Sequence, residues 1–283
     1  MIRATLTPVS HSTVSRDRDA LGVREIVSLW THRRTLRSLA LHNLRRSYAG
    51  TSGGVLWAVV TPLVPMLVFA AIFSFGLRLP LGGAPYIFGF ATAYVPWVLV
   101  SAAVTGATAS LLDHRYLVKR TRFPLEILPG EAVLVHSLSH ACLVGLVTVV
   151  CAIAGYSRLA AFPLVIYFYL CAIVLVVALG LLVSSIAVVL PDVRQVLPSM
   201  LNVWFWLTPI AWAPGQLPPA GRALLPLNPI GYLVSGYRSA LMPSVFPAPT
   251  AIDAAAFWTI TIGLLLIGSF CFRRLRIYFW DCL

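Results

Sequence analysis

Long runs without a charged residue alternate along this chain with short segments rich in Arg, Pro and Gly. A bilayer core of about 30 Å needs about 20 apolar helical residues, each rising about 1.5 Å. Six stretches meet or approach that length. Val55–Phe75 comes first and contains Pro62 and Pro65. Leu79–Leu112 is charge-free, but Pro80, Gly82, Gly83 and Pro85 read as a loop. The second span is therefore predicted over 86–111, with a kink at Pro96. Ile127–Val150 is interrupted by Glu131, His136 and His140. Leu159–Leu190 is long enough to tilt or to project into water. Val196–Trp212 is shorter, and Ala254–Phe272 closes the series.

Two segments depart from this pattern. Residues 213–250 hold eight prolines, and their apolar pieces, Ala223–Tyr237 and Ser239–Ile252, are too short to cross. They read either as re-entrant helices buried in protein or as an external loop packed on the bundle. Residues 22–48 predict a partly amphipathic helix. At 100° per residue, Ile26, Leu29, Trp30, Leu36, Ala40, Leu44 and Tyr48 fall near one face, interrupted by Arg33 and Arg37. A basic helix with an apolar side suits an anionic membrane surface, and docking of a partner protein is the second reading.

Composition narrows the class. Of the 283 residues, 59% are hydrophobic and 11% charged, against about 25% charged in an ordinary soluble domain. The mean hydropathy of +0.87 agrees. A soluble enzyme is excluded, and the fold class expected is all-α, a polytopic membrane protein with six transmembrane helices. The first 20 residues are polar and lack the apolar core of a cleavable signal, so 1–21 read as a disordered cytoplasmic tail. Five cysteines at 142, 151, 171, 271 and 282 show no C-x-x-C spacing and read as small hydrophobes, so no metal site is expected. Lys119 is the single lysine, and it stands outside any G-x-x-x-x-G-K-[ST] arrangement. The chain therefore lacks a phosphate-binding loop of that kind.

The net charge of +12 would suggest a nucleic-acid partner in a soluble protein. Its distribution argues otherwise. Seventeen of the 21 basic residues lie in 1–48, 113–126, 191–195 and 273–276, on one side of the predicted bundle. Only Arg78, Arg158, Arg222 and Arg238 lie in the alternate loops. The positive-inside rule places both termini in the cytoplasm, and six spans give the same parity. No nucleic-acid partner is expected.

The loop from His114 to Pro124 joins two spans on that basic side. Arg115, Lys119, Arg120 and Arg122 satisfy topology alone, whereas Phe123 and Pro124 add an aromatic and a rigid turn suited to a groove in a partner. Leu41–Leu56 followed by Trp57 and Thr61-Pro62, then Lys119–Pro129 (KRTRFPLEILP), Pro191–Gln195, and Leu227-Asn228-Pro229 followed by Tyr237-Arg238 complete an ordered set. Over residues 35–280 this set resembles the ABC-2 type exporter permeases. It is most similar to the branch that exports lipid-linked polysaccharides such as O-antigen, teichoic acid or cell-wall galactan precursors.

The resemblance implies a homodimer of six-span subunits in a bacterial plasma membrane, working with two copies of a separate ABC ATPase subunit. No cofactor is expected in this chain, and ATP and Mg would bind the partner. It further implies a gate helix over 22–48, with Trp30, Arg37, Leu44, Arg45 and Tyr48 as its marked residues. The coupling element would be 113–124, with Arg115, Lys119, Arg120, Arg122, Phe123 and Pro124 meeting the ATPase. Residues 55–273 would form the transmembrane domain and 274–283 a cytoplasmic C-terminus.

A sugar chain in transit needs polar contacts and flat apolar faces. Trp57, Tyr94, Trp97, Trp204, Trp206 and Trp212 are candidates for the path, although Trp and Tyr also gather at membrane interfaces for other reasons. His136 and His140 share a helix face one turn apart. With Glu131 they read as internal hydrogen-bonding groups in preference to a proton relay or metal site. Asp192 and Arg194 are expected to be structural, pairing with the gate helix. Export of a small drug or lipid is the first rival function. A membrane glycosyl- or acyltransferase would want clustered acids, which the nine Asp and Glu do not form in sequence. A secondary transporter would usually show internal repeats, and none is apparent.

Overall fold

The computed structural model describes residues 23–76, 85–115, 124–157 and 161–279, and every regular element among them is helical. Two short helices, α1 (Val23–Thr31) and α2 (Arg33–Ser47), occupy the segment expected as one. His32 turns between them. The backbone bonds from His32 to Ser28 and from Leu36 to His32, both 2.9 Å, carry the path through the turn. Along α2, Leu36, Leu39, Ala40, Asn43 and Leu44 face inward, while Arg33, Arg34, Arg37, Arg45 and Arg46 stay exposed. Burial follows the helical period, since the arginines keep their charge in water.

Five helices are long and apolar enough to cross a membrane. These are α3 (Trp57–Ala71, running into a wider π-helical turn at Ile72–Gly76), α4 (Tyr86–Asp113), α5 (Ile127–Ile153), α6 (Phe162–Val189) and α10 (Ala251–Leu275). Their ends have local causes. Pro163 sits in the first turn of α6, where a missing N–H does no harm. Thr250 and Asp253 cap α10 reciprocally, and Arg273 and Arg274 stand in its last turn, where the helix dipole favours cations.

The fifth expected span differs. Val196–Trp212 is replaced by α7 (Val193–Leu207), whose 15 residues extend only about 22 Å. The chain leaves helical geometry at Thr208, whose ψ is 138°. Beyond it come α8 (Pro219–Leu224), which is exposed, and α9 (Pro229–Leu241), in which every residue but Ser235 is buried. The apolar pieces of 213–250 thus divide: Ala223–Tyr237 begins at the surface and then supplies most of the core helix α9, packed on α4, α6 and α10, whereas Ser239–Ile252 gives only its last turn and then leaves helical geometry.

α4 and α6 form the centre of the bundle. Small residues let the helices approach. A Cβ on Gly268 of α10 would lie 2.9 Å from the Ala178 carbonyl oxygen, and one on Gly180 of α6 would lie 3.1 Å from Ala107. Such close backbone contact replaces the hydrophobic drive that lipid does not supply. A separate cluster of Leu111, Leu125, Leu128, Leu181, Val188, Phe272 and Phe279, with Leu39 against it, gathers α2 and the ends of α4, α5, α6 and α10. The described parts of the two termini therefore meet at one end of the bundle.

Candidate functional site

Two cavities share one wall. The first, about 780 Å³, lies among α3, α4, α5 and α7; the second, about 600 Å³, lies among α2, α4 and α5. Tyr48, Gly106, His136 and Ser139 line both, so the two form one groove with a neck. Gly106 permits the neck's shape: a Cβ there would stand 2.8 Å from His136 Nε2.

The smaller cavity is polar. Asn43, Arg46, Asp113, His114 and Glu131 line it. Asn43 Nδ2 donates to Glu131 Oε1 over 3.0 Å and lies 3.5 Å from His114 Nε2. Nearby, Ser28 Oγ donates to Glu126 Oε1 over 2.9 Å, and Arg276 stands 4.0 Å from the same carboxylate. The start of α5, which directly follows the basic loop, is thus joined to α1, α2 and the far end of the chain.

The larger cavity is walled by aromatic faces, among them Phe69, Tyr94, Trp97, Phe205 and Trp206, with Thr105, Ser139 and Asn202 between them. Pro62 and Pro65 of α3 and Pro198 of α7 also line it. Each lacks an N–H to give to the carbonyl one turn earlier. His140 is 2% exposed; its Nε2 lies 3.0 Å from Tyr237 Oη, and its ring stacks on Tyr169 at 5.5 Å. Tyr169 in turn donates to the Ser137 carbonyl over 3.0 Å. The two histidines therefore differ: His140 is held by side chains of the same chain, and His136 faces the neck. Among the described residues, no three His, Cys, Asp or Glu side chains are grouped to hold a metal ion.

The sequence-predicted residues separate on this geometry. Tyr94, Trp97 and Trp206 line the groove. Trp57, Trp204 and Trp212 lie outside its lining. Trp204 Nε1 donates to Asn228 Oδ1 over 3.1 Å, and Trp212 Nε1 donates to the Trp206 carbonyl over 2.9 Å, so both hold the chain around α7. Trp57 is 43% exposed beside Gly53. Of the residues expected to form a gate, Tyr48 reaches the neck, Leu44 is half-buried, and Arg37 and Arg45 point outward. Trp30 is 71% exposed with the Arg33 guanidinium 5.1 Å from its ring centroid. In the loop expected to meet an ATPase, Arg115 is exposed and Pro124 half-buried, while Lys119, Arg120, Arg122 and Phe123 lie outside the described residues.

Two charges are not where the sequence reading puts them. Arg194 pairs with Asp113 at 3.1 Å, at the end of α4, in place of the gate helix. Arg238, counted among the outer-loop charges, is 4% exposed inside α9. It donates to the carbonyls of Gly89 (3.0 Å), Pro209 (2.7 Å) and Ile210 (2.8 Å). These acceptors include backbone freed where α7 ends, which gives the buried cation its partners. Asn43 was also missed as a site residue. Its signal was present: an amide set between Ala40 and Leu44 on the inward stripe of a basic helix.

The sequence profile described as ABC-2 type transporter matches residues 34–242, well over half of the chain. The chain is 26% identical over 259 residues to the O-antigen export system permease protein RfbA of Myxococcus xanthus, covering 90% of this chain and 97% of that one. It is 19% identical over 237 residues to an RfbA of Klebsiella pneumoniae, covering 82% and 90%. It is also 21% identical over 236 residues to the polysialic acid transport protein KpsM of Escherichia coli, covering 82% and 92%. The helices that form the groove, α2, α3, α4, α5 and α7, fall within the matched region save for Arg33, the first residue of α2. The chain is a multi-pass bacterial membrane protein and belongs to the ABC-2 type transporter family.

Proposed function

We propose that this chain is the membrane subunit of an ATP-driven exporter that moves a lipid-linked polysaccharide out across the bacterial plasma membrane. The observation that carries this reading is the groove: a polar vestibule and an aromatic chamber, continuous through Tyr48 and His136. A glycan offers hydroxyls and flat C–H faces, and these walls match both. The names of the relatives agree with that substrate class.

In this reading two copies of the chain face each other across the groove, and two ABC ATPase subunits bind ATP and Mg. They dock on residues 113–124 and on the helix pair α1 and α2. A push on the loop reaches Glu126 and Glu131 first, and through Ser28 and Asn43 the helices that border the vestibule. Binding of ATP can bias the bundle only by its different affinity for two packings.

The segment 194–211 makes a sixth crossing. Its start is tied to one end of α4 by Arg194 and Asp113, and its end to the other by Tyr86 Oη, which donates to the Ala211 carbonyl over 2.7 Å. The turn after α7, closed by the Ile210 N–H donating to the Thr208 carbonyl over 2.7 Å, carries the chain on to Ala211. Both termini then lie in the cytoplasm, as the basic loops require.

The test is surface display of the glycan in cells carrying this permease with or without its ATPase. Export should vanish without the ATPase while the permease stays in the membrane; continued export would overturn the reading. With both subunits present, Arg122→Ala and Phe123→Ala should lower export while ATP hydrolysis persists.

A further inference from the structure

We infer that the groove is built for a neutral glycan, a chain without carboxylate, sulfate or phosphate groups along its length. This rests on the export reading and narrows its substrate. Among the described residues, no Asp, Glu, Lys or Arg lines the 780 Å³ chamber. The side chains offered to a passing sugar include hydroxyl and amide groups at Thr105, Ser139 and Asn202, the imidazole of His136 at the neck, and aromatic faces at Tyr94, Trp97 and Trp206.

Charge in such a chamber is the deciding quantity. A hydroxyl leaving water recovers hydrogen bonds from Ser, Thr and Asn side chains. A carboxylate leaving water needs a cation or several well-placed donors, and without them its transfer is strongly unfavourable. The vestibule does not compensate, because its Arg46 shares the wall with Asp113 and Glu131. A second copy of the chain would add the same surface again by symmetry, and so the same absence of charge. One relative is named for polysialic acid, which carries a carboxylate on every sugar. The chemistry of this groove points away from that class.

Two polymers on the same lipid carrier separate the possibilities: one of neutral hexoses, one with a uronic acid in each repeat. Each is supplied to cells that hold this permease and its ATPase and no other exporter, and glycan at the surface is measured over time. The neutral polymer should appear at least about tenfold faster, since each unpaired charge adds to the barrier. Equal rates would overturn the inference and leave the export reading intact. Export of neither polymer would overturn the export reading itself. Asn202→Arg and Thr105→Lys place a cation at exposed positions on two different helices. Either variant that reaches the membrane at the normal level should shift the ratio several-fold toward the acidic polymer. An unchanged ratio in both would also overturn the inference.

Discussion

Asn43 of α2 donates a 3.0 Å hydrogen bond to the carboxylate of Glu131, one turn inside α5. The bond crosses the vestibule wall and joins a surface helix to a membrane helix. Glu131 is only 4% exposed, so Asn43 supplies a partner that water cannot easily replace. Asn43→Ala should lower the thermal stability of the purified protein by about 1–3 kcal/mol, the usual penalty for orphaning a buried polar group. Adding Glu131→Gln to Asn43→Ala replaces the orphaned carboxylate by a neutral amide and should recover most of that loss. A melting curve of Asn43→Ala that matches the unaltered protein would remove the bond from the account.

The neck makes a second prediction. Gly106→Ala places a methyl 2.8 Å from His136 Nε2, so the imidazole must move into the passage. Export should fall several-fold while insertion and ATP hydrolysis continue. His136→Ala removes the obstructed ring, and the double variant should export better than Gly106→Ala alone. No rescue would mean that Gly106 acts through helix packing and not through the neck.

Arg238 gives a prediction about stability. Arg238→Met would leave three carbonyls, at Gly89, Pro209 and Ile210, without their donor. The expected loss is about 3–5 kcal/mol, enough to reduce the amount of folded protein in the membrane. Arg238→Lys should do little better, because an ammonium cannot reproduce the planar fork. Normal levels of Arg238→Met would show that the three carbonyls find other partners.

The tryptophans provide a paired comparison. Trp206→Ala removes a face of the groove and should slow export with little change in melting temperature. Trp204→Ala removes the donor to Asn228, whose amide also donates to Thr208 over 2.9 Å and whose Oδ1 accepts from the Ile230 N–H over 3.1 Å. It should lower stability more than export. Equal export defects at equal stability would erase the distinction between lining and support.

Much of this was legible in the residues. Charge-free runs of about 20 residues leave a helix as the only local structure that satisfies every backbone group in lipid. Five of the six expected spans accordingly appear within a few residues of their expected limits. The segment 22–48 was readable as a helix because its apolar positions recur at helical spacing, even though His32 divides it. α7 was less legible. Hydropathy counts residues and does not register that the backbone opens at Thr208, where Arg238 takes up the freed carbonyls of Pro209 and Ile210 and Asn228 donates to the Thr208 hydroxyl.

Apolar pattern and charge placement, which act locally along the chain, determined the helices, their number to within one, and the basic end of the bundle. The groove depended on helices distant in sequence. Trp97, Trp204 and Trp206 look alike in one dimension, and the rotation of α4 and α7 sets two of them in the wall and one behind it. Arg238 looks like a loop charge until α9 is packed between α4 and α6. Burial, and with it the difference between a solvated charge and a structural pin, is a property of neighbours, and neighbours exist only once the chain has folded.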